Sequence, residues 1–189
     1  MKLQPMGSGL IERAESLKEE GLRLYRLGDY EAAASLFVEA EGVFAEAGDL
    51  RGQGEMLNNL GVLHLQAERW AEAQKAFERA NEKFISAEDN LGRAQSLGNL
   101  GELFRRRGQR EEAVDSLKEA ANLLREVGEG EKEAKTLELI SRIRLEQRRW
   151  LEALHFYDLS LAAHSRGLKG TILRPLVKIP LSLLSRGVQ

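Results

Sequence analysis

The sequence predicts an all-α, right-handed superhelical solenoid of four helix-turn-helix repeats followed by a carboxy-terminal capping segment. Three observations carry this. The 189 residues are 42% apolar and 31% charged, with three prolines and 6% aromatics, a composition that suits solvated amphipathic helices and argues against a sandwich, a collagen or a disordered chain. Small residues recur every forty positions, as Gly21, Gly61, Gly101 and Ser141, and again as Ala33, Ala73, Ala113 and Ala153. Four residues after each alanine comes a large one (Phe37, Phe77, Leu117, Tyr157), and three further on a small one (Ala40, Ala80, Ala120, Ser160). This four-and-three spacing marks one face of a helix.

Each repeat begins with a first amphipathic helix, marked by Leu17, Leu57, Leu97 and Leu137 four residues before the Gly or Ser. The alanine helix is the second. Between the two lie Gly28-Asp29-Tyr30, Glu68-Arg69-Trp70, Gly108-Gln109-Arg110 and Arg148-Arg149-Trp150, where the chain must reverse; the first and third carry a helix-ending glycine. Between repeats, Ala47-Gly48-Asp49, Ala87-Glu88-Asp89-Asn90 and Val127-Gly128-Glu129-Gly130 supply a small residue and then a cap. The expected helices are 10–27, 30–47, 50–67, 70–87, 90–107, 110–127, 130–147 and 150–166. Residues 1–9 form an amino-terminal arm, 10–167 the repeats (10–49, 50–89, 90–129, 130–167), and 168–189 a basic, apolar cap or tail. Repeat four departs furthest: Ser141 and Ser160 keep the register small but add hydroxyls that need partners if buried.

The formal charge of −2 hides an asymmetry, −7 over residues 1–89 and +5 over 90–189. Residues 159–189 contribute Arg166, Lys169, Arg174, Lys178 and Arg186 and no acid. From Gly170 the tail is aliphatic and interrupted by Pro175 and Pro180. Three uses compete for it: covering the apolar face of repeat four, docking into its own or a neighbouring groove with homo-oligomerisation as the consequence, and docking to an anionic membrane or a larger partner.

Several chemistries are set aside. The absence of cysteine removes disulfides, Cys-ligated zinc, iron–sulfur clusters and thiol catalysis, and leaves the redox compartment open. His64, His155 and His164 are too scattered for a zinc site, and no acidic pair has the setting of paired-carboxylate catalysis, so the expectation is no metal, no cofactor and no catalytic residue. Gly7-Ser8-Gly9 and Gly52-Gln53-Gly54 follow no strand, as a phosphate cradle would require. Arg105, Arg106, Arg107 and Arg110 cluster, but Glu111 and Glu112 follow and stacking aromatics are missing, so a solvated helix end is expected rather than a nucleic-acid site. Trp70 and Trp150 share the repeat position of Tyr30, which makes them packing residues by periodicity. With neither a signal-length apolar run nor a span of roughly 20 apolar residues, a cytoplasmic protein is expected.

Leu17-xxx-Gly21, Gly28-Asp29-Tyr30, Ala33, Phe37 and Ala40 together resemble the tetratricopeptide repeat, with a period of forty instead of the usual ~34 residues. Asn59-Leu60-Gly61 and Asn99-Leu100-Gly101 look like its long-period subclass with Leu-Gly-Asn-type repeats. The resemblance implies a non-catalytic adaptor, cytoplasmic in use, that binds a peptide or helix of another protein in a concave groove lined by each repeat's first helix. Candidates for that groove are Lys18, Leu22 and Tyr25; Glu55, Asn58, Asn59, Val62 and Gln66; Gln95, Asn99, Glu102 and Arg106; and Lys135, Glu138 and Arg142. Leu65 is expected to add apolar affinity. Asn59 and Asn99 stand out, since an amide offers donor and acceptor to a peptide backbone; the same amides could instead bridge neighbouring helices. A receptor for chaperone carboxy termini is argued against, because Lys18 and Asn59 fit that clamp but Leu22, Gln95 and Asn99 do not. The alternative function is a self-assembling structural module held by the tail.

Overall fold

A computed structural model describes the backbone of residues 6–176 and the side chains of residues 9–166. The described chain is all-α, with eight helices in four consecutive antiparallel pairs: α1 Met6–Leu27, α2 Tyr30–Glu46, α3 Leu50–Gln66, α4 Trp70–Ser86, α5 Asn90–Arg106, α6 Arg110–Glu126, α7 Gly130–Glu146 and α8 Trp150–Leu176. Two helix ends differ from expectation. α1 begins at Met6, and α8 runs past residue 166 to Leu176, into the segment expected to be a separate tail. Residues 177–189, most of the expected carboxy-terminal cap, lie outside the described residues.

The chain forms two compact units, Met1–Leu123 and Leu124–Gln189, with the boundary inside α6. In the first unit α1 packs on α2, α2 on α3, α3 on α4 and α4 on α5. Glycine sets the closeness of this packing: a Cβ on Gly21 or Gly61 would stand 2.7 or 2.5 Å from the ring of Phe37 or Phe77, and one on Gly101 would stand 2.6 Å from Leu117. Phe44 and Phe84 do the same between repeats, lying on Gly52 and Gly92. All four rings are buried, so each forty-residue step adds about two large apolar side chains to a continuous core.

All seven turns share one geometry. Positions 28, 48, 68, 88, 108, 128 and 148 have positive φ, between 55° and 83°. The residue after each returns its N–H to a carbonyl five residues back, as in Asp29 N to Leu24 O at 3.0 Å and Arg149 N to Arg144 O at 2.9 Å. Glycine fills four of these positions, whereas Glu68, Glu88 and Arg148 fill the others at the steric cost of a left-handed residue. Asp29, Asp49 and Asp89 then cap the next helix by accepting from the backbone N–H three residues on, at 3.2, 2.9 and 2.9 Å.

In the second unit α7 packs on α8. Ser141 Oγ donates to Ala153 O at 2.7 Å and Ser160 Oγ to Tyr157 O at 2.7 Å, so both hydroxyls in place of glycine and alanine are satisfied. Buried Glu133 accepts from Arg125 at 2.8 Å and from Arg166 at 2.9 Å, which ties α8 to the start of α7. One expectation fails here. Trp150 is 64% exposed and Tyr30, its counterpart, 49%, whereas Trp70 is half-buried; the recurring aromatic opens a helix's first turn and none of the three enters the core.

Candidate functional site

Within the first unit, the first helices α1, α3 and α5 present one common face. On α3 it holds Glu55, Asn58, Asn59, Val62 and Gln66, spaced three, one, three and four apart. Leu65 does not belong to it. It lies four residues after Gly61, on the face pressed against α4, and is buried in the core.

The polar residues of this face are mostly joined to one another. Lys18 Nζ lies 3.1 Å from Glu55 Oε2, Gln66 Nε2 donates to Tyr25 Oη at 2.6 Å, and Asn99 Nδ2 donates to Asn58 Oδ1 at 2.9 Å. These three contacts step from helix to helix, two between α1 and α3 and one between α3 and α5. Burial pulls the Lys18 pKa down, but hydrogen bonds to Glu15 and Glu55 outweigh it and hold the ammonium above its ordinary value. The amine is therefore a fixed cation. Arg51 Nε lies 3.3 Å from Glu55 and 3.2 Å from Asp89, so the capping carboxylate of α5 also closes an ion network with α3.

Two adjoining hollows open along this face. The larger, about 330 Å³, is lined by Lys18, Leu22, Arg51, Glu55, Asn58, Asn59, Gln95 and the Phe84, Asp89, Leu91 and Gly92 group where α4 passes to α5. The smaller, about 100 Å³, is apolar: Leu22, Tyr25, Phe37, Asn59 and Val62. Leu22 and Asn59 form walls of both. Among the described residues the Asn59 amide makes no hydrogen bond within the chain, and Asn99 is committed to Asn58. The two asparagines that the sequence treats alike thus differ.

The remaining candidates fall outside the hollows. Glu102 accepts from Arg105 at 2.7 Å and from Arg106 at 2.8 Å. The Arg105 hydrogen bond, helped by Arg106 and opposed by burial, holds the Glu102 carboxyl below the usual carboxylate range. Arg107 donates to Gln74 at 3.2 Å, so three of the clustered arginines have partners in their own surroundings. Lys135, Glu138 and Arg142 belong to the second unit, exposed on α7, with Lys135 2.7 Å from Glu131. Sequence reasoning missed Arg51, Phe84, Asp89 and Leu91. Asp89 was visible only as a helix cap and Phe84 was not singled out, because a side chain that caps or packs on one side can still line a hollow on the other.

Among the described residues no group of His, Asp and Glu is placed to hold a metal ion, and no helix is long and apolar enough to cross a membrane. No curated protein matches the sequence. Solved structures with a similar fold include BtubC (BKLC) from P. vanneervenii (17% identity, TM-score 0.71, covering 80% of this chain and 63% of that one). Aspartyl phosphate phosphatase F from Bacillus subtilis is similar at 16% identity and TM-score 0.78, covering 82% of this chain and 41% of that one. A putative kinesin light chain with nearly identical TPR-like repeats, from Podosopora anserina, is similar at 16% identity and TM-score 0.66, covering 82% and 76%. The chain thus spans less than two thirds of the first two of these proteins, and at such identities the likeness is one of fold. The tetratricopeptide repeat pattern itself matches residues 52–126 and 92–166, more than half of the sequence, and with the forty-residue register and the paired helices this places the chain in the tetratricopeptide repeat family.

Proposed function

We propose that this chain is a non-catalytic adaptor that holds an extended peptide, or one face of a helix, from another protein along α1, α3 and α5. Domains of this family generally mediate protein–protein interactions. The observation that carries the finer reading is the position of Asn59. Its amide, with no hydrogen bond in the chain, stands between an apolar hollow and a polar one, both walled by Leu22. An apolar side chain of the ligand would enter among Leu22, Tyr25, Phe37 and Val62 and supply affinity, while Asn59 pairs with ligand backbone and fixes register. The Lys18–Glu55 and Gln66–Tyr25 bridges hold the walls in place beforehand, which lowers the ordering cost of binding. Gln95 borders the same hollow; Lys135 and Arg142 are proposed contacts for a ligand longer than these hollows. The forty-residue period with Asn59-Leu60-Gly61 and Asn99-Leu100-Gly101 supports a place in the long-period, Leu-Gly-Asn-like subclass.

The test is to select displayed peptides against the full chain and compare two substitutions. Asn59→Ala should weaken the selected peptides about tenfold, ~1.4 kcal/mol, and leave the melting temperature unchanged. Asn99→Ala should cost stability, about 0.5–1.5 kcal/mol for the lost bridge to Asn58, with a smaller effect on binding. Peptides indifferent to Asn59→Ala and to Leu22→Ala would remove these hollows from the binding site.

A further inference from the structure

The two ends of the repeat array are finished differently. In α3 and α5 the positions facing the preceding repeat are small or apolar and mostly buried: Gly52 and Gly92, Met56 and Ser96, Leu63 and Leu103. Forty residues earlier, in α1, the same positions hold Glu12, Ser16 and Arg23, all exposed. That face of α1 is polar. α8 does the opposite. Trp150, Leu151, Leu154, Tyr157 and Leu161 are 64%, 85%, 65%, 49% and 53% exposed and form one stripe about three turns long.

This stripe is more apolar than the same face of α2 and α4. Leu151 stands where repeats one and three have Glu31 and Glu111, and Leu161 where repeats one and two have Glu41 and Asn81. Leu154 replaces Gln74 of repeat two. α2 and α4 are covered by α3 and α5 while carrying Glu31, Glu41, Gln74 and Asn81 there, whereas α6 has Val114 and Ala121, both buried, at the positions of Leu154 and Leu161. The exposed apolar area is on the order of 600 Å², at the top of what a soluble monomer shows. Doubled across a two-fold axis it reaches the ~1,200 Å² at which stable interfaces begin.

We propose that the α8 stripe is a self-complementary surface that binds α8 of a second copy of this chain, antiparallel, about a two-fold axis between His155 and Phe156. That axis sets Trp150 opposite the partner's Leu161 and Leu154 opposite the partner's Tyr157, so a bulky ring meets an aliphatic side chain in each case and every contact occurs twice. Asp158 comes close to the partner's His155, a favourable pairing. Open head-to-tail stacking is disfavoured by the charged outer face of α1, which offers an apolar stripe nothing to bury. The product is a closed dimer.

Sedimentation equilibrium of the full chain tests this. A dimer is expected at tens of micromolar, with Leu154→Glu weakening it on the order of 100-fold and leaving helicity and melting of the dissociated chain unchanged. A full chain that remains monomeric at hundreds of micromolar overturns the proposal. If that monomer also melts lower with Leu154→Glu, the stripe is covered by the chain's own residues 177–189 instead. A dimer indifferent to Leu154→Glu uses another surface and overturns it equally.

Discussion

Repeat two and repeat four carry the same register but seat their large residue differently. In repeat two the Phe77 ring lies on Gly61, where an added Cβ would come within 2.5 Å, and the ring is fully buried. In repeat four Ser141 brings that Cβ and a hydroxyl, the hydroxyl takes the Ala153 carbonyl, and Tyr157 is left 49% exposed. At the same register the large residue of α4 is buried and that of α8 is half exposed. A repeat can keep its register and its turns and still change which residues it offers to solvent, and that is how the same fold supplies a closed core in one place and an exposed apolar face in another.

The largest effect that separates the two regions should come from the buried rings. Phe84 packs on Gly54 and on Gly92, so it joins consecutive repeats, and Phe84→Ala should cost about 3–5 kcal/mol in chemical denaturation. Tyr157→Ala, with half its ring in water, should cost under about 1 kcal/mol in the monomer. Similar costs for the two would mean that Tyr157 is covered by something other than solvent, and the contrast would lose its basis.

Moving the serine between repeats is a narrower test. Gly61→Ser should cost about 1–3 kcal/mol, because a buried Phe77 has no room to yield. The reverse exchange, Ser141→Gly with Tyr157→Phe, should draw the ring inwards and raise stability while weakening any association through α8. Unfolding curves and sedimentation of the same two samples read both effects. If Gly61→Ser is tolerated without loss, the serine is not what turns Tyr157 out.

The forty-residue register and the eight helices were legible in the sequence because each is a local period of apolar and small residues. What the sequence hid depends on a second helix. Asn59 and Asn99 occupy equal repeat positions, yet Asn99 has Asn58 to bind on the neighbouring helix and Asn59 faces a hollow. Leu65 and Val62 are both apolar residues of α3, and only the direction of α4 separates core from groove. Trp150 was misread because periodicity reports a shared position and not its depth. The extent of α8 was misread because a Gly- and Pro-bearing stretch looks like an end, although its helix continues to Leu176.

The smallest expected effect concerns the turns, where the two regions should agree. Glu88 and Arg148 hold φ of 55° and 60° in the same hydrogen-bonded turn as Gly28 and Gly108. A side chain in the left-handed region costs ~1–2 kcal/mol, and glycine removes that cost while giving back ~0.5–1 kcal/mol through the freer unfolded chain. Glu88→Gly and Arg148→Gly should therefore each stabilise by about 0.5 kcal/mol, the first in the well-packed unit and the second in the unit of α7 and α8. Equal gains in denaturant midpoint at constant slope would show that the difference between repeats lies in their faces alone. A gain at Glu88 without one at Arg148 would place part of that difference in the last turn, where the chain enters α8 and where Trp150 begins the exposed stripe.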